Sequence, residues 1–190
     1  MEELLKLKNK SGNIVNIKYK ILDLSYIDKI MALQDEIMED LEDKELYAPT
    51  DKEEFIEFIV KSGKVIGFVD ENDVLIAMGA YVKKGYSEGN YGYDLGIEGE
   101  MLLNVAQVES TVVRSDYRGN GLQKILCEKI EEIAKKEKVK ILASTASPYN
   151  GYSVNTFKKL GYKIKKEKLK YGGLRRYVLA KEIECCDILI

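Results

Sequence analysis

The chain has 190 residues, 45% of them hydrophobic and 33% charged, with a formal net charge of −2. That length suffices for one domain with a sizeable core, the near-neutral balance argues against a polyanion-binding surface, and no run of about 18 apolar residues is present to cross a membrane. Histidine is absent, which removes the commonest general base and the commonest metal ligand together, so Ser-His-Asp and Cys-His catalysis and His-ligated zinc are excluded and no metal site is expected.

The opening MEELLKLKNK alternates charge with leucine and lacks the apolar core and cleavage site of a signal peptide, which points to the cytoplasm. "KNKSGN" marks a turn, and residues 13–22 (NIVNIKYKIL) read as a strand. A helix follows, capped by Asp23 or Ser25, with Ile27, Ile30, Met31, Ile37, Met38 and Leu41 at helical spacing. Its acidic second half, residues 35–43, reads as a solvated face or an attractor for a cationic amine. Thr50 and Glu53 have capping-box spacing ahead of Phe55, Ile56, Phe58 and Ile59, which predicts a second short helix. Residues 64–69 and 74–82 flank the turn cluster "DEND" and predict an antiparallel hairpin. Residues 84–100, rich in glycine and tyrosine, carry no period and read as a connector or a substrate lid with Tyr86, Tyr91 and Tyr93 as contacts.

Residues 104–113 (NVAQVESTVV) form a β-branched strand, and a helix is predicted from about Gly119 to Lys138 with Leu122, Ile125, Leu126, Ile130, Ile133 and Ala134 on one face. Residues 139–146 make an apolar strand, parallel to the previous one if the helix is a crossover. Pro148 and Asn150 open a short helix that Gly161 ends, and strands over 162–170 and 175–181 close the domain as a hairpin. The lysines between 158 and 170 suit an edge strand or a phosphate contact. The organisation is therefore a single α/β domain with a mixed sheet over residues 1–182, followed by a tail over 183–190. Three cysteines, Cys127, Cys185 and Cys186, make an odd count without metal-ligand spacing and read as reduced thiols.

The stretch RSDYRGNGLQKIL, residues 114–126, carries the chemistry. Two glycines between Arg118 and Lys124, where a strand gives way to a helix, suit an anion: free N–H groups and the positive helix end attract phosphate, and glycine lets it approach the main chain. A P-loop is excluded because no Gly-x4-Gly-Lys-Ser/Thr run exists. A dinucleotide fingerprint lacks its third glycine, since Lys124 stands there, and its ribose acid would be Glu137 inside the same helix.

Arg118-x-x-Gly121 after "VESTVV" resembles instead the acetyl-coenzyme A site of the GNAT N-acetyltransferase superfamily. "PYNGYSVNTFKKLGYKI", residues 148–164, resembles that family's second motif. The resemblance covers roughly residues 104–164 and implies a mixed, mostly antiparallel twisted sheet with a splayed central parallel strand pair, flanked by helices. It implies acetyl-coenzyme A as cofactor, with its pyrophosphate on the main chain of Arg118, Gly119, Asn120, Gly121, Leu122, Gln123 and Lys124, its pantetheine arm along Val112 and Val113, and a contact from Asn150. Gln123 stands where the family pattern has glycine or alanine, so the helix start must accommodate its side chain or turn it to solvent.

Phe157 stands where many members carry a tyrosine acid, leaving Tyr149, Tyr152 and Tyr171 as unranked substitutes. Glu109, a carboxylate on an otherwise apolar and hydroxylic strand, is the candidate base, alone or through a water; a strand-face ion pair is its structural alternative. The expected activity is direct acetyl transfer to a primary amine of a small molecule, peptide or protein, by a monomer or homodimer without nucleic-acid or membrane partners. The alternative is a non-catalytic acyl-coenzyme A binding or sensing module on the same fold.

Overall fold

The computed structural model describes residues 4–184. Eight strands form one sheet: β1 (Leu4–Lys8), β2 (Ile14–Leu22), β3 (Gly63–Asp70), β4 (Leu75–Val82), β5 (Val105–Val113), β6 (Ile141–Ala146), β7 (Lys163–Lys170) and β8 (Leu174–Glu182). Their spatial order is β1-β2-β3-β4-β5-β6-β8-β7. The β5–β6 pair is parallel and every other neighbouring pair antiparallel. Four helices flank the sheet: α1 (Ile27–Asp40), α2 (Lys52–Glu57), α3 (Leu122–Lys136) and α4 (Gly151–Lys159). This is the mixed, mostly antiparallel arrangement expected, and a single parallel pair leaves no room for the successive parallel units of a dinucleotide fold.

Directly paired strand residues share a face of the sheet. Ala106, Val108 and Leu142 therefore lie on the face that packs against Leu122, Leu126 and Ile130 of α3 and Val154 and Phe157 of α4. Val65, Ala80 and Val82 lie on the other face, under Ile30, Leu33 and Ile37 of α1 and Phe55 of α2. Spacings of three and four put those helical residues on one stripe, so each helix buries a single face.

Two local irregularities open the sheet at its centre. The parallel ladder runs from Val105↔Ile141 to Val108↔Ser144 and stops; β5 continues to Val113 against β4, and β6 to Ala146 against β8. Just beyond, β5 bulges: Met78 pairs with Val112 but Ala80 with Glu109, so β5 carries one extra residue. Ser110 absorbs it at φ 50°, a left-handed conformation that costs a non-glycine residue on the order of 1 kcal/mol. The bulge inverts the alternation, leaving Glu109 and Val112 on the α1/α2 face and Thr111 toward α3.

Several sequence expectations need adjustment. β1 was not foreseen, because LLKLK at a sheet edge buries only Leu7 and carries too little apolar signal; "KNKSGN" is the turn that joins it to β2. The cap of α2 is Asp51, whose carboxylate accepts from the Glu54 N–H at 2.7 Å, rather than Thr50. The Thr50 hydroxyl is engaged instead with Ser110 Oγ at 2.7 Å, across the bulge. α3 begins at Leu122, with Gly121 at its cap, and not at Gly119. Cys185, Cys186 and most of the predicted tail lie outside the described residues, although Ile183 is buried in the core and its N–H bonds Lys140 O at 2.8 Å.

The segment 84–104 is a pinned loop. It contains 3-10 turns at Tyr93–Leu95 and Gly99–Asn104, and buried Asn90 donates to Gly85 O at 2.7 Å and Leu102 O at 3.2 Å. Asp94, whose side chain is only 8% exposed, holds Lys168 and Lys170 of the edge strand β7, the latter at 2.6 Å. Burial opposes its charge, but the hydrogen bonds of the two lysines outweigh that and lower its pKa. The pair therefore stabilises the fold above the unfolded carboxylate pKa, and that contribution fades as pH falls through the folded value. Asp94→Asn should lower stability by about 1–3 kcal/mol, or roughly 2–10 °C in Tm, and weaken its acid dependence. Thermal melts between pH 3 and 7 and amide exchange over 84–104 check this.

Candidate active site

The site has two parts on either side of the splay. The first is the start of α3. Gly119 at φ 91° and Gly121 at φ 73° take left-handed conformations, and a Cβ at either would project into open space. Gly121 carries no side-chain cap, so the first N–H groups of α3 point outward from a helix long enough to have an appreciable dipole. Arg118 Nε reaches Val113 O at 3.4 Å, joining the loop to the end of β5. Asn120 Nδ2 is committed to Lys8 O at 3.0 Å and Tyr117 O at 3.1 Å, so it builds the loop, and Lys124 pairs with Glu128 at 3.5 Å.

Gln123 does not turn to solvent but is taken up between β5 and α4. Its Nε2 donates to Thr111 Oγ1 at 3.2 Å and Ser153 Oγ at 3.0 Å, tying β5, α3 and α4 together. Ser153 is in turn at the start of α4, where its N–H bonds Asn150 Oδ1 at 3.1 Å. Asn150 is thus a helix cap. The two sequence motifs meet through Gln123, whose longer side chain does what glycine or alanine could not.

The second part is a cleft of about 220 Å³ on the α1/α2 face, bordered by both splayed strands, the 46–50 segment and the 84–104 loop. Buried Gln34 of α1 fastens the 47–50 wall, accepting from the Thr50 N–H and from the Tyr47 hydroxyl, each at 2.9 Å. Half-buried Glu109 lies in this cleft, past the last parallel pair. Gln107, 1% exposed, donates from Nε2 to Glu109 Oε1 at 2.6 Å while its Oε1 accepts the Tyr91 N–H at 2.8 Å. The Tyr91 hydroxyl meets the Tyr171 hydroxyl, which lies 2.9 Å from Thr145 Oγ1. Burial raises the Glu109 pKa and outweighs the opposing effect of its donors Tyr91 and Gln107. Burial likewise pushes Tyr171 up to about 12.

All three spare tyrosines are exposed to some degree, but Tyr171, at 44%, lines the cleft, whereas Tyr149 is bonded to Arg175 and Tyr152 is 92% exposed. Phe157 is sealed in the core, edge-on to Tyr162 at 5.1 Å. Cys127 is buried, and desolvation pushes its thiol up to about 12, so it is no nucleophile at neutral pH. Val112 is buried in the α1/α2 core and pairs with Met78, and Val113 pairs with Ala77. On the side of β6 the β5 edge has no strand partner past Val108 among the described residues.

The site is thus two-sided, with an open strand edge between the glycine turn at the start of α3 and the carboxylate cleft. Residues 27–162 match the model of the acetyltransferase (GNAT) family. The chain belongs to that family, whose cofactor is acetyl-coenzyme A. Solved structures agree in fold. The ribosomal-protein-S18-alanine N-acetyltransferase from Escherichia coli is 14% identical with a TM-score of 0.66, over 92% of this chain and 98% of that one. YncA from Salmonella typhimurium, solved with its cofactor acetyl-coenzyme A, is 13% identical with a TM-score of 0.67, over 89% and 95%. A GNAT-family acetyltransferase from Streptococcus pneumoniae is 15% identical at 0.67, over 88% and 99%. No curated protein matches the chain in sequence. Among the described residues no helix is long and apolar enough to cross a membrane, and no cluster of His, Cys, Asp or Glu is suited to a metal ion.

Gln107, Thr145 and Arg176 are site residues that sequence reasoning did not single out. Gln107 had a legible signal, a polar side chain in the apolar run VAQV of a central strand. Titration of the Glu109 side-chain carbon by NMR should give a midpoint above the ordinary glutamate value. Gln107→Leu removes a donor to the carboxylate and should push that midpoint higher still.

Proposed function

We propose that the protein is an acetyl-coenzyme A dependent N-acetyltransferase, a single domain over residues 1–182 that works as a monomer or homodimer on a primary amine of a small molecule or peptide. The free, buried Cys127 supports a reducing, cytoplasmic setting. The observation that carries the reading is Glu109, a carboxylate held by Gln107 at the point where the strands part.

The chain fits the cofactor at both ends. Main-chain N–H groups from Arg118 to Lys124 would take the pyrophosphate, with the open space over Gly119 and Gly121 admitting it. The free β5 edge at Val112 and Val113 would pair with the pantetheine arm as an added strand, and Asn150 Nδ2 would approach from α4. Bound there, acetyl-coenzyme A supplies an acetyl thioester.

The chain's own residues handle the protons. An alkylamine with pKa near 10.4 costs about 4.6 kcal/mol to neutralise at pH 7, and Glu109, with its pKa raised, takes that proton directly or through a water. Tyr171 is the acid we assign. Its Oη borders the cleft and stays protonated, and with a pKa pushed up to about 12 it would stabilise a departing thiolate by donating a hydrogen bond rather than by giving up its proton outright. A thiol pKa of about 8.5 makes such help useful rather than indispensable.

Glu109→Gln should leave acetyl-coenzyme A binding unchanged, lower kcat by about 10²- to 10⁴-fold and abolish the acidic limb of the pH profile. Activity is lost as pH falls through the Glu109 pKa, so a limb that persists in the variant refutes the base. Gly121→Val should weaken acetyl-coenzyme A at least about tenfold in isothermal titration, while its stability falls by only about 1–2 kcal/mol, because the new side chain meets ligand space and not protein. Phe157 favours a second reading, a non-catalytic acyl-coenzyme A sensor, which would bind the cofactor without amine-dependent thiol release.

A further inference from the structure

Arg176 is the most unusual charge in the molecule. It is 3% exposed and borders the cleft, yet its Nη2 has no hydrogen-bond partner among the described residues. Its Nη1 reaches only the neighbouring Arg175 carbonyl at 2.8 Å, and its guanidinium stands 5.8 Å from the Tyr171 ring centroid. The carboxylates that act on it, Glu45 and Asp43, do so through space, and it has no salt bridge among the described residues. Burial accordingly opposes its charge. The other two cations of the cleft are satisfied, Lys84 by Glu54 at 2.8 Å and Lys170 by Asp94 at 2.6 Å.

A buried, incompletely bonded guanidinium is costly, and arginine in such a place is the usual partner of a carboxylate. The register says on which side that partner must come. Gln107 pairs with Ala143 and Ala143 with Ala180, so Arg176, four residues before Ala180 on β8, shares the face of Gln107 and Glu109. That face is opposite to α3 and α4, hence to the glycine cradle at the start of α3. The anion that Arg176 awaits is therefore not the cofactor's pyrophosphate. Between Arg176 and Glu109 stand Tyr171, whose ring faces Arg176, and Tyr91, whose hydroxyl bonds that of Tyr171 and whose N–H is tied to Glu109 through Gln107.

We infer that the amine acceptor carries a carboxylate, bound by Arg176, while its amine lies toward Glu109. This rests on the acetyltransferase reading of the cleft and names its substrate class: an acceptor of amino-acid type rather than a simple amine or polyamine. The carboxylates that line the cleft are Glu54, paired with Lys84, and Glu109, while Asp43 and Glu45 beyond its border act on Arg176 only from a distance.

The test compares amines that differ only in the carboxylate. Glycine, β-alanine, 4-aminobutyrate and the common α-amino acids are each assayed against their carboxamides by thiol release from acetyl-coenzyme A, and by isothermal titration into the coenzyme A complex. At least one acid should exceed its amide by about tenfold or more in kcat/KM or in affinity. Arg176→Gln should bring that ratio close to one and Arg176→Lys should retain part of it, with acetyl-coenzyme A affinity within about twofold of the parent in both. A melt confirms that both variants fold. Amides equal to acids throughout, or a preference that survives Arg176→Gln, would overturn the inference. If acetyl-coenzyme A itself fails to bind, the transferase reading fails, and titration of the same acid and amide pairs into the free protein still decides the role of Arg176.

Discussion

The molecule is organised around the place where the β5–β6 ladder ends. Parallel neighbours exchange slanted hydrogen bonds evenly along their length, so ending such a ladder inside a sheet leaves polar backbone groups to be satisfied some other way. Ser144 answers on one side, its hydroxyl donating to Val108 O at 2.9 Å, and the bulge at Ser110 turns the next stretch of β5 onto a new alternation. What remains is a strand edge in the middle of the domain, open to a ligand and walled by two splayed strands. The left-handed Ser110 and its bond to Thr50 show that the distortion is held by tertiary contacts rather than by local preference.

Around that opening the polar side chains form two connected sets. On the α3/α4 face Gln123 joins Thr111 to Ser153, which ties the start of α3 to the Asn150 cap of α4. On the other face Gln107 joins Glu109 to Tyr91, and Tyr91 joins Tyr171 and Thr145. A buried polar network of this kind is costly when any member is unpaired, which makes the unpaired Arg176 at its border informative. The pinned 84–104 loop covers the second set, and Asp94 fixes it to the edge strand whose lysines would otherwise be only a guard against aggregation.

Much of this was legible before any coordinates. The helices were legible in stripes such as Leu122, Leu126 and Ile130, and the start of α3 in two glycines that prove left-handed, because both depend on spacing within one segment. Glu109 was legible as a carboxylate in an apolar strand, although its orientation by Gln107 and Tyr91 spans a chain separation that no local pattern encodes. The Thr50 cap was misread for a similar reason: Asp51 offers a carboxylate one residue later, and Thr50 is recruited by a partner sixty residues away. Arg176 was hidden in a lysine- and arginine-rich hairpin. Arg175 and Arg176 look alike in sequence, and only strand register decides that one faces solvent and the other the cleft.

The central claim is that the end of β5 and the start of α3 receive one extended ligand together. Amide hydrogen exchange, measured with and without acetyl-coenzyme A, tests it residue by residue. The account predicts slowed exchange at 109–113 and 119–124 in the same titration, with β1 and β2 unaffected. Protection confined to one of the two segments, or centred elsewhere in the sheet, would contradict it.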